Sequence, residues 1–521
     1  MSKQMKGFKN ERELQEAILQ EKAKGISDKE IGRKYGVTFK YIEKLITSSQ
    51  GLNISNLKVS KKIKTLYPLN FKEEQTTVWS FKQRGNWATH SGEYRGNWSP
   101  YIPRNVILKY SKPGELVLDY FCGAGTTAIE CKLLGRRCIA IDINDKAIEL
   151  AKKNIDFKIE SQQLSFCNEE NYLDIYEPEL KVGDARDLSF LKDNSIDLIC
   201  SHPPYANIIH YTNSKEGDLS FLNIDDFLKE MEKVAKESFR VLKPGRQCAI
   251  LIGDIRRKRH VIPLGFKVID VYLNSGFKLR ELIIKRQHNC KTTGFWYKKS
   301  IENNFLLLAH EYLPIFEKPN VSITLNIKEK EKDHNFITHM LEKPIILNKL
   351  DKLETTTVWI FSAEDFEERL NKNVIDRYSN GDDYLTITFN YHTNMNIMST
   401  EGKKQEKIKL LFIKSPFLSN NPSHSDIDYY LKELKNIVIQ DLPNMEKGGF
   451  VVIQTQDVRI NGYIEPLAKK IVDILEHDNL WLKEIVVVTY DSNEGINSNL
   501  FNLTKYLKIV HQYLLIYEFK K

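Results

Sequence analysis

At 521 residues, with 41% hydrophobic and 28% charged side chains, the chain is too long for one ordinary core and predicts about three or four domains. No apolar run is long enough to span a bilayer, and the start, MSKQMKGFKNERELQ, lacks the apolar stretch of a secretory signal, so a cytoplasmic protein without a membrane partner is expected. The net charge of +8 is gathered at one end: residues 1–75 hold 16 Lys and Arg against 9 Asp and Glu, as expected where that end meets a polyanion.

Within a first domain of residues 1–50, residues 10–48 read as helices. Ser27 with Glu30 three positions later forms a capping box, and Gly36 falls between two short amphipathic segments. Ile31, Tyr35, Val37, Ile42 and Leu45 are apolar at helix-turn-helix spacing, with small Gly32 where the helices must approach closely. The pattern resembles a helix-turn-helix DNA-binding domain, whose second helix, residues 38–48, would enter a major groove. Lys34, Thr38, Lys40, Tyr41 and Lys44 would then face DNA. A helical hairpin used only for packing has the same apolar spacing. Residues 51–75 read as a basic linker.

From 76 to 320 strand-like and helix-like segments alternate. ELVLDYF, CIAIDI, IDLICS and QCAILIGD are short apolar runs, and DDFLKEMEKVAKESFRVL (225–242) is helical in pattern. Alternation of this kind predicts an α/β, doubly wound sheet with helices on both faces. FKLRELIIKR and NNFLLLAHEYLPIF follow with no long helix between them, which predicts an antiparallel closing pair. Residues 321–350, including KEKEKDHN, read as a charged linker. The seven cysteines (122, 131, 138, 167, 200, 248, 290) include no CxxC pair, so buried reduced thiols are expected and neither a disulfide framework nor a metal site.

Residues 351–521 hide a repeat. TTVWSF (76–81) returns as TTVWIF (356–361), and HEYLPIFE (310–317) returns as HQYLLIYE (511–518). Residues 244–273 return at a constant offset of 203 as 447–476, pairing Asp254 with Asp457 and Arg256 with Arg459. Ordered matches of this kind predict a duplicated domain.

The chemistry sits in the first copy. LVLDYFCGAGTTAIECKLLGRRCIAIDI (116–143) reads as strand, glycine turn, helix and second strand. Gly123 and Gly125 let the backbone approach a ligand, and Asp142 at the end of the second strand can accept from two ribose hydroxyls. Taken alone, this suits NAD as well as other nucleoside cofactors. Downstream, ICSHPPYA (199–206) ends an apolar run on two prolines, which fix two φ angles and remove two N–H donors.

DYFCGAGTT followed by HPPY resembles the S-adenosylmethionine-dependent DNA amino-methyltransferases that methylate adenine N6 or cytosine N4. The likeness covers about 76–318. It implies a class I, Rossmann-like fold with a seven-stranded sheet containing one antiparallel strand. It implies that Asp119, Cys122, Gly123, Gly125 and Thr126 line the methionine and ribose part of the cofactor, and that Asp142 holds the ribose. Asp184 would meet the adenine amino group, and GNWSPYIPRNVI (96–107), with Asn97 and Trp98, would cover the methionine end.

An exocyclic amine is a poor nucleophile because its lone pair is delocalised into the ring. Two acceptors must take its hydrogens so that the lone pair turns to the methyl donor. The Pro203 carbonyl, held by Pro204, is one expected acceptor, and Tyr205 would stack on a base flipped out of duplex DNA. The family usually places Asp, Asn or Ser before the first proline; here it is His202, whose neutral imidazole offers one acceptor nitrogen. Ser201 or water is the alternative acceptor if His202 faces away. The departure leaves adenine and cytosine both open as targets. KRQHNCKTTGFWYKK (285–299) contributes Lys285, Arg286, Lys291 and Trp296 as candidate DNA contacts, and the loop 206–223 would fold over the flipped base.

The second copy keeps sheet segments and loses the chemistry. Its span from the TTVW motif to the proline motif shrinks from 127 residues (76 to 203) to 60 (356 to 416), and ICSHPPYA becomes FIKSPFLS, with Pro416 alone. It resembles the inactive partner of the eukaryotic RNA adenine methyltransferase heterodimers. The expected whole is a bacterial or phage, nucleoid-associated DNA methyltransferase, with a cognate restriction endonuclease as a candidate partner. An RNA or tRNA amino-methyltransferase and a non-enzymatic DNA-binding regulator are the alternatives.

Overall fold

The computed structural model describes residues 11–23, 26, 28–38, 41–42, 45, 63–92, 94, 96–159, 174–206, 216–288, 291–320, 338–342, 353–379, 383–390, 407–414, 423–491 and 506–520. Ser27, Lys40, Lys44, Cys167, Cys290, Pro416, residues 207–215 of the post-proline loop, the stretch 328–335 and the side chain of Lys291 lie outside the described residues. Contacts divide the chain into two compact units: residues 1–69, 85–192 and 200–237 in one, and residues 70–84, 193–199 and 238–521 in the other.

The first unit begins with helices Glu11–Ala23 and Asp28–Tyr35. Leu14, Ile18, Ile31, Val37, Ile42 and Leu45 bury together, with Tyr35 and Tyr41 partly buried against them, which matches the apolar spacing read from sequence. A Cβ on Gly32 would lie 3.1 Å from the Val37 carbonyl oxygen, so the close approach requires a residue of its size. The Thr38 carbonyl accepts from the Tyr41 and Ile42 N–H groups at 3.0 and 3.1 Å, opening the next helical turn. Tyr41 donates its hydroxyl to Glu11 at 3.3 Å, so this expected DNA contact is engaged within the helical cluster. Lys34 reaches Glu21 at 3.1 Å and is largely exposed.

The same unit holds the parallel strands Leu116–Asp119, Arg137–Asp142 and Glu179–Val182, side by side in that order. Helices Tyr101–Tyr110, Thr126–Leu133 and Asp145–Ile155 accompany them. Leu116–Asp119 and the middle of Arg137–Asp142 are largely buried, which is why they appear in sequence as continuous apolar runs without alternation.

The second unit contains one design twice. Val78–Ser80, Lys278–Arg286, His310–Glu317 and Leu242–Ile250 are neighbours in that order, and His310–Glu317 runs antiparallel to both of its neighbours. The ribbon Ile255–Arg257 with His260–Ile262 and the helix Leu264–Asn274 follow. Val358–Phe361, Leu480–Tyr490, His511–Phe519 and Met445–Thr455 repeat that order. Their ribbon, Val458–Ile460 with Tyr463–Glu465, and the start of helix Leu467–Ile474 fall 203 residues after their counterparts. Buried Trp79 and Trp359 each donate Nε1 to a threonine carbonyl three residues back, Thr76 or Thr356, at 2.9 Å.

The two large sheets have eight and seven strands. The expected count of seven therefore needs correction in the first copy. The additional strand is Val78–Ser80, which pairs in parallel with Lys278–Arg286 and is only three residues long, too short to register as a periodic segment. A second correction concerns 285–299. The helix Lys291–Glu302 lies between the two closing strands, its apolar spacing masked in sequence by Thr292, Thr293 and Gly294, which are poor helix formers. Lys285 and Arg286 end a strand, and half-buried Lys285 pairs with Glu311 at 2.8 Å. Lys285 is thus committed within the sheet. Trp296 is half-buried, with Lys299 5.1 Å from its ring centroid.

The second copy's shrinkage is now located. Tyr384–Asn390 pairs directly and in parallel with Ile408–Lys414, and only residues 391–407 separate them. In the first copy, residues 120–195 separate Leu116–Asp119 from Ile196–Ser201, and that interval carries the glycine turn and Asp142. Cys122, Cys131, Cys138, Cys200 and Cys248 are buried free thiols, as expected. Among the described residues no helix is long and apolar enough to cross a membrane, and no cluster of His, Cys, Asp or Glu could hold a metal ion.

Candidate active site

The site lies within the first unit and is built by two carboxylates that fasten loops to strand ends. Leu116–Asp119 runs into the turn Tyr120–Gly125, where Gly123 and Gly125 take φ values of +50° and +83°. Side chains rarely adopt that region. Space is short as well: a Cβ would lie 3.0 Å from the Tyr94 ring at Gly123 and 3.1 Å from the Ala151 Cβ at Gly125. Asp142 accepts the Gly123 N–H on Oδ2 and the Asn144 N–H on Oδ1, both at 2.9 Å. Burial pushes its carboxyl up to about 6, against the pull of those two donors.

Asp119 sits beneath the turn. Its Oδ1 accepts from the Ser201 hydroxyl at 2.6 Å and the Phe121 N–H at 3.1 Å, and burial raises its carboxyl to about 6. The Ser201 hydroxyl in turn accepts from the same Phe121 N–H at 3.1 Å and is fully buried. Ser201 therefore braces the turn and is not placed to meet a substrate amine. Asp119, expected at the cofactor, has the same bracing position.

A pocket with about 700 Å³ of empty space, open solvent included, adjoins these braces. Of the expected residues it is lined by Asn97, Trp98, Cys122, Gly123, Asp142, Asp184, His202 and Pro204. Gly125 and Thr126 are not among its lining residues, and the Thr126 hydroxyl donates to Asn97 Oδ1 at 2.5 Å. Pro203 is buried. Tyr120 and Phe121 of the DYFCGAGTT stretch, Ile143 beside Asp142, and Asp218 and Leu219 of the 206–223 loop also line the cavity, as does Tyr94, which no motif marks. Burial drives the Cys122 thiol well above its ordinary pKa, so it acts as an apolar wall.

His202 faces the cavity. Its imidazole stacks on Trp98, with centroids 5.6 Å apart and planes 22° from parallel, and meets the Tyr205 ring edge-on. Nε2 is 3.2 Å from the Tyr205 hydroxyl. Asp184 is fixed by Arg186, which reaches Oδ1 at 3.0 Å and Oδ2 at 2.6 Å and also pairs with Glu230 at 2.5 Å.

One further residue organises the site. Glu130, fully buried on helix Thr126–Leu133, accepts from Trp87 Nε1 at 2.7 Å, pairs with His90 at 2.7 Å and pairs with Arg104 at 2.9 Å. Burial alone would raise its pKa; Arg104 and His90 outweigh burial and hold it below its ordinary value. The three partners bracket the segment that carries Tyr94, Asn97 and Trp98, so one carboxylate clips that segment to the helix after the glycine turn.

The DNA methylase family model of the N6/N4 type matches residues 5–153 and 196–401. The chain belongs to the N6/N4 DNA methylase family. A general methyltransferase-domain model matches residues 111–262, which hold the glycine turn, Asp142 and His202. The chain is 30% identical over 152 residues to the type II methyltransferase M.MthZI of Methanothermobacter thermautotrophicus, covering 26% of this chain and 42% of that protein. It is 32% identical over 114 residues to a tRNA (guanine(10)-N2)-dimethyltransferase from the same organism, covering 22% and 29%. It thus spans less than half the length of these curated relatives. Among solved structures, a putative DNA modification methylase of Thermus thermophilus, complexed with S-adenosyl-L-methionine, is 28% identical over 27% of this chain and 52% of that one, with a TM-score of 0.20.

The residues present fit S-adenosyl-L-methionine, the cofactor that the resemblance implies. Asp142 and Asp184 offer acceptors to hydroxyl and amino groups, aromatic walls suit a purine, and the cradle at Gly123 is one that a Cβ would fill.

This geometry sets the expected behaviour of two variants. Asp142→Ala weakens S-adenosylmethionine binding by about 1–3 kcal/mol in calorimetry, since a hydrogen-bonded carboxylate is lost. As an acceptor, Asp142 must be ionised, so wild-type affinity falls as pH drops through about 6, and Asp142→Asn flattens that dependence. Glu130→Gln leaves the Arg104 charge buried without its partner, a change of about 3–5 kcal/mol in unfolding measurements. Because Glu130 clips the segment bearing Asn97 and Trp98, the variant also binds cofactor more weakly at temperatures where it remains folded.

Proposed function

We propose that the protein is a cytoplasmic methyltransferase that transfers the methyl group of S-adenosylmethionine to the exocyclic amine of adenine or cytosine in duplex DNA, with the target base flipped out of the helix. The observation that carries this reading is the cavity that joins the glycine turn and Asp142 to His202 and Pro204. The cofactor, when bound, supplies an electrophilic methyl on a sulfonium. The chain's own residues supply position and proton acceptance.

In this reading the Pro203 carbonyl takes one amine hydrogen. His202 takes the other: with Nε2–H donating to the Tyr205 hydroxyl, Nδ1 carries the lone pair that accepts it. The amine lone pair then points at the methyl group. Trp98 and Tyr205, which flank His202, offer aromatic faces to the flipped base. Asp119, Gly125 and Thr126 act one step back, through the turn and Asn97.

Residues 1–50 serve as the DNA-reading element, a helix-turn-helix to which the contacts Lys34 and Thr38 and, by sequence, Lys40 and Lys44 are assigned. The family match reaching back to residue 5 supports an N-terminal element that belongs to the same machine. We place the catalytic domain at 76–320, the degenerate copy at 351–521, and linkers at 51–75 and 321–350. A bacterial or phage origin, a nucleoid location and a cognate restriction endonuclease belong to the same proposal, supported by the likeness to type II methyltransferases. The likeness to a tRNA dimethyltransferase favours one second reading, action on RNA, so both polymers enter the test.

Purified protein is incubated with labelled S-adenosylmethionine and either duplex DNA or tRNA, and the modified bases are identified by mass spectrometry. Methylated adenine or cytosine from DNA is expected; label only in tRNA contradicts the reading. His202→Ala retains cofactor affinity and loses about 10²- to 10⁴-fold in rate, the range of a proton-accepting contact in a transition state. Tyr205→Phe loses less, because it removes only the partner that fixes the imidazole. A His202→Ala enzyme at wild-type rate ends the acceptor assignment.

A further inference from the structure

Within the second unit, the deepest polar contacts that join the two copies occur twice, with the copies exchanged. Arg256 of the first copy pairs with Glu484 of the second. Arg459, its counterpart at offset 203, pairs with Glu281 at 2.5 Å, and Glu281 and Glu484 are themselves 203 residues apart. The backbone completes the exchange: Glu484 accepts from the Leu306 N–H at 3.0 Å, and Glu281 accepts from the Leu507 N–H at 3.2 Å. Both glutamates are almost fully buried.

A second set repeats the reciprocity. Thr77 Oγ1 lies 2.8 Å from His511 Nδ1, and Thr357 Oγ1 lies 2.9 Å from His310 Nδ1. Thr77 donates its N–H to the Lys508 carbonyl at 3.0 Å, and Thr357 donates to that of Leu307 at 2.9 Å. In a contact where residue i of one copy meets j of the other while j meets i, both copies use the same patch, the signature of a two-fold symmetric interface. A contact that arose after two folds were tethered would join unlike patches.

We propose that the protein is a homodimer fused into one polypeptide: the first copy carries a self-association surface, and the second copy is its built-in, permanent partner. The retained core of the second copy then has a use that needs no cofactor, which is to present this patch. The buried Arg–Glu clasps, not the charged segment between the copies, hold the two together. The fused interface is independent of the methylation reading, since none of its residues lines the cavity.

The test places a specific protease site in stretch 328–335 of the full-length protein. After complete cleavage the two fragments are expected to co-elute in size-exclusion chromatography at the mass of the intact chain, at micromolar concentration and in high salt. Fragments that separate under native conditions overturn the proposal. In the cleaved protein, Arg459→Glu sets like charges against each other at Glu281 and separates the fragments, and adding Glu281→Arg restores co-elution. An Arg459→Glu protein that co-elutes as wild type overturns the assignment of the clasp. If Arg459→Glu does not accumulate folded, Arg459→Met, which keeps an apolar chain over Tyr506, carries the same expectation of fragment separation.

Discussion

The acceptance of the Gly123 N–H by the Asp142 carboxylate is the contact on which the site depends. A turn with two glycines at positive φ gains conformational freedom in the unfolded chain and needs something to fix it when folded. Asp142 does so from the neighbouring strand, and Asp119 does so from below through Phe121 and Ser201. A hydrogen bond to a charged group contributes about 1.5–3 kcal/mol, so these few contacts offset a large part of the cost of ordering a short loop. They also set the distance between the cofactor cradle and His202, because Ser201 immediately precedes it in the chain.

Burial gives these carboxylates their character. Asp119 and Asp142 are both raised to about 6, close enough to neutrality for small changes of environment to alter their charge. Glu130 goes the other way because Arg104 and His90 oppose burial. One group of acids thus supports a turn from within, while another anchors the segment that closes the cavity. The first is sensitive to mild acid and the second is not.

Much of this was legible in the sequence, for physical reasons. Gly123, Gly125, Asp142 and the His202–Tyr205 run are chemically specific residues at fixed spacing from strand ends, and strand ends follow from apolar runs. The duplication was legible because the offset of 203 holds without a gap from residue 244 to 273 and the TTVW and HxYL stretches return in the same order. What escaped depends on distant residues. Asp119 reads as a ligand-lining acid until Ser201 is seen beneath it. Glu130 reads as one more helix carboxylate until Trp87, His90 and Arg104 arrive from 26 to 43 residues away. Lys285 reads as a free cation until the strand pairing brings Glu311 beside it. Val78–Ser80 is a strand only because a neighbour accepts it.

On the proposed reading, one copy does chemistry and the other supplies structure. In the second copy the interval that would hold the glycine turn and the ribose carboxylate is reduced to residues 391–407, too few for the strand, helix and strand that carry them in the first copy. Titration calorimetry of the full-length protein with S-adenosylmethionine tests this division directly. The predicted result is one molecule bound per chain, with binding weakened by Asp142→Ala. Two equivalents bound per chain, or one whose affinity is indifferent to Asp142, would contradict it.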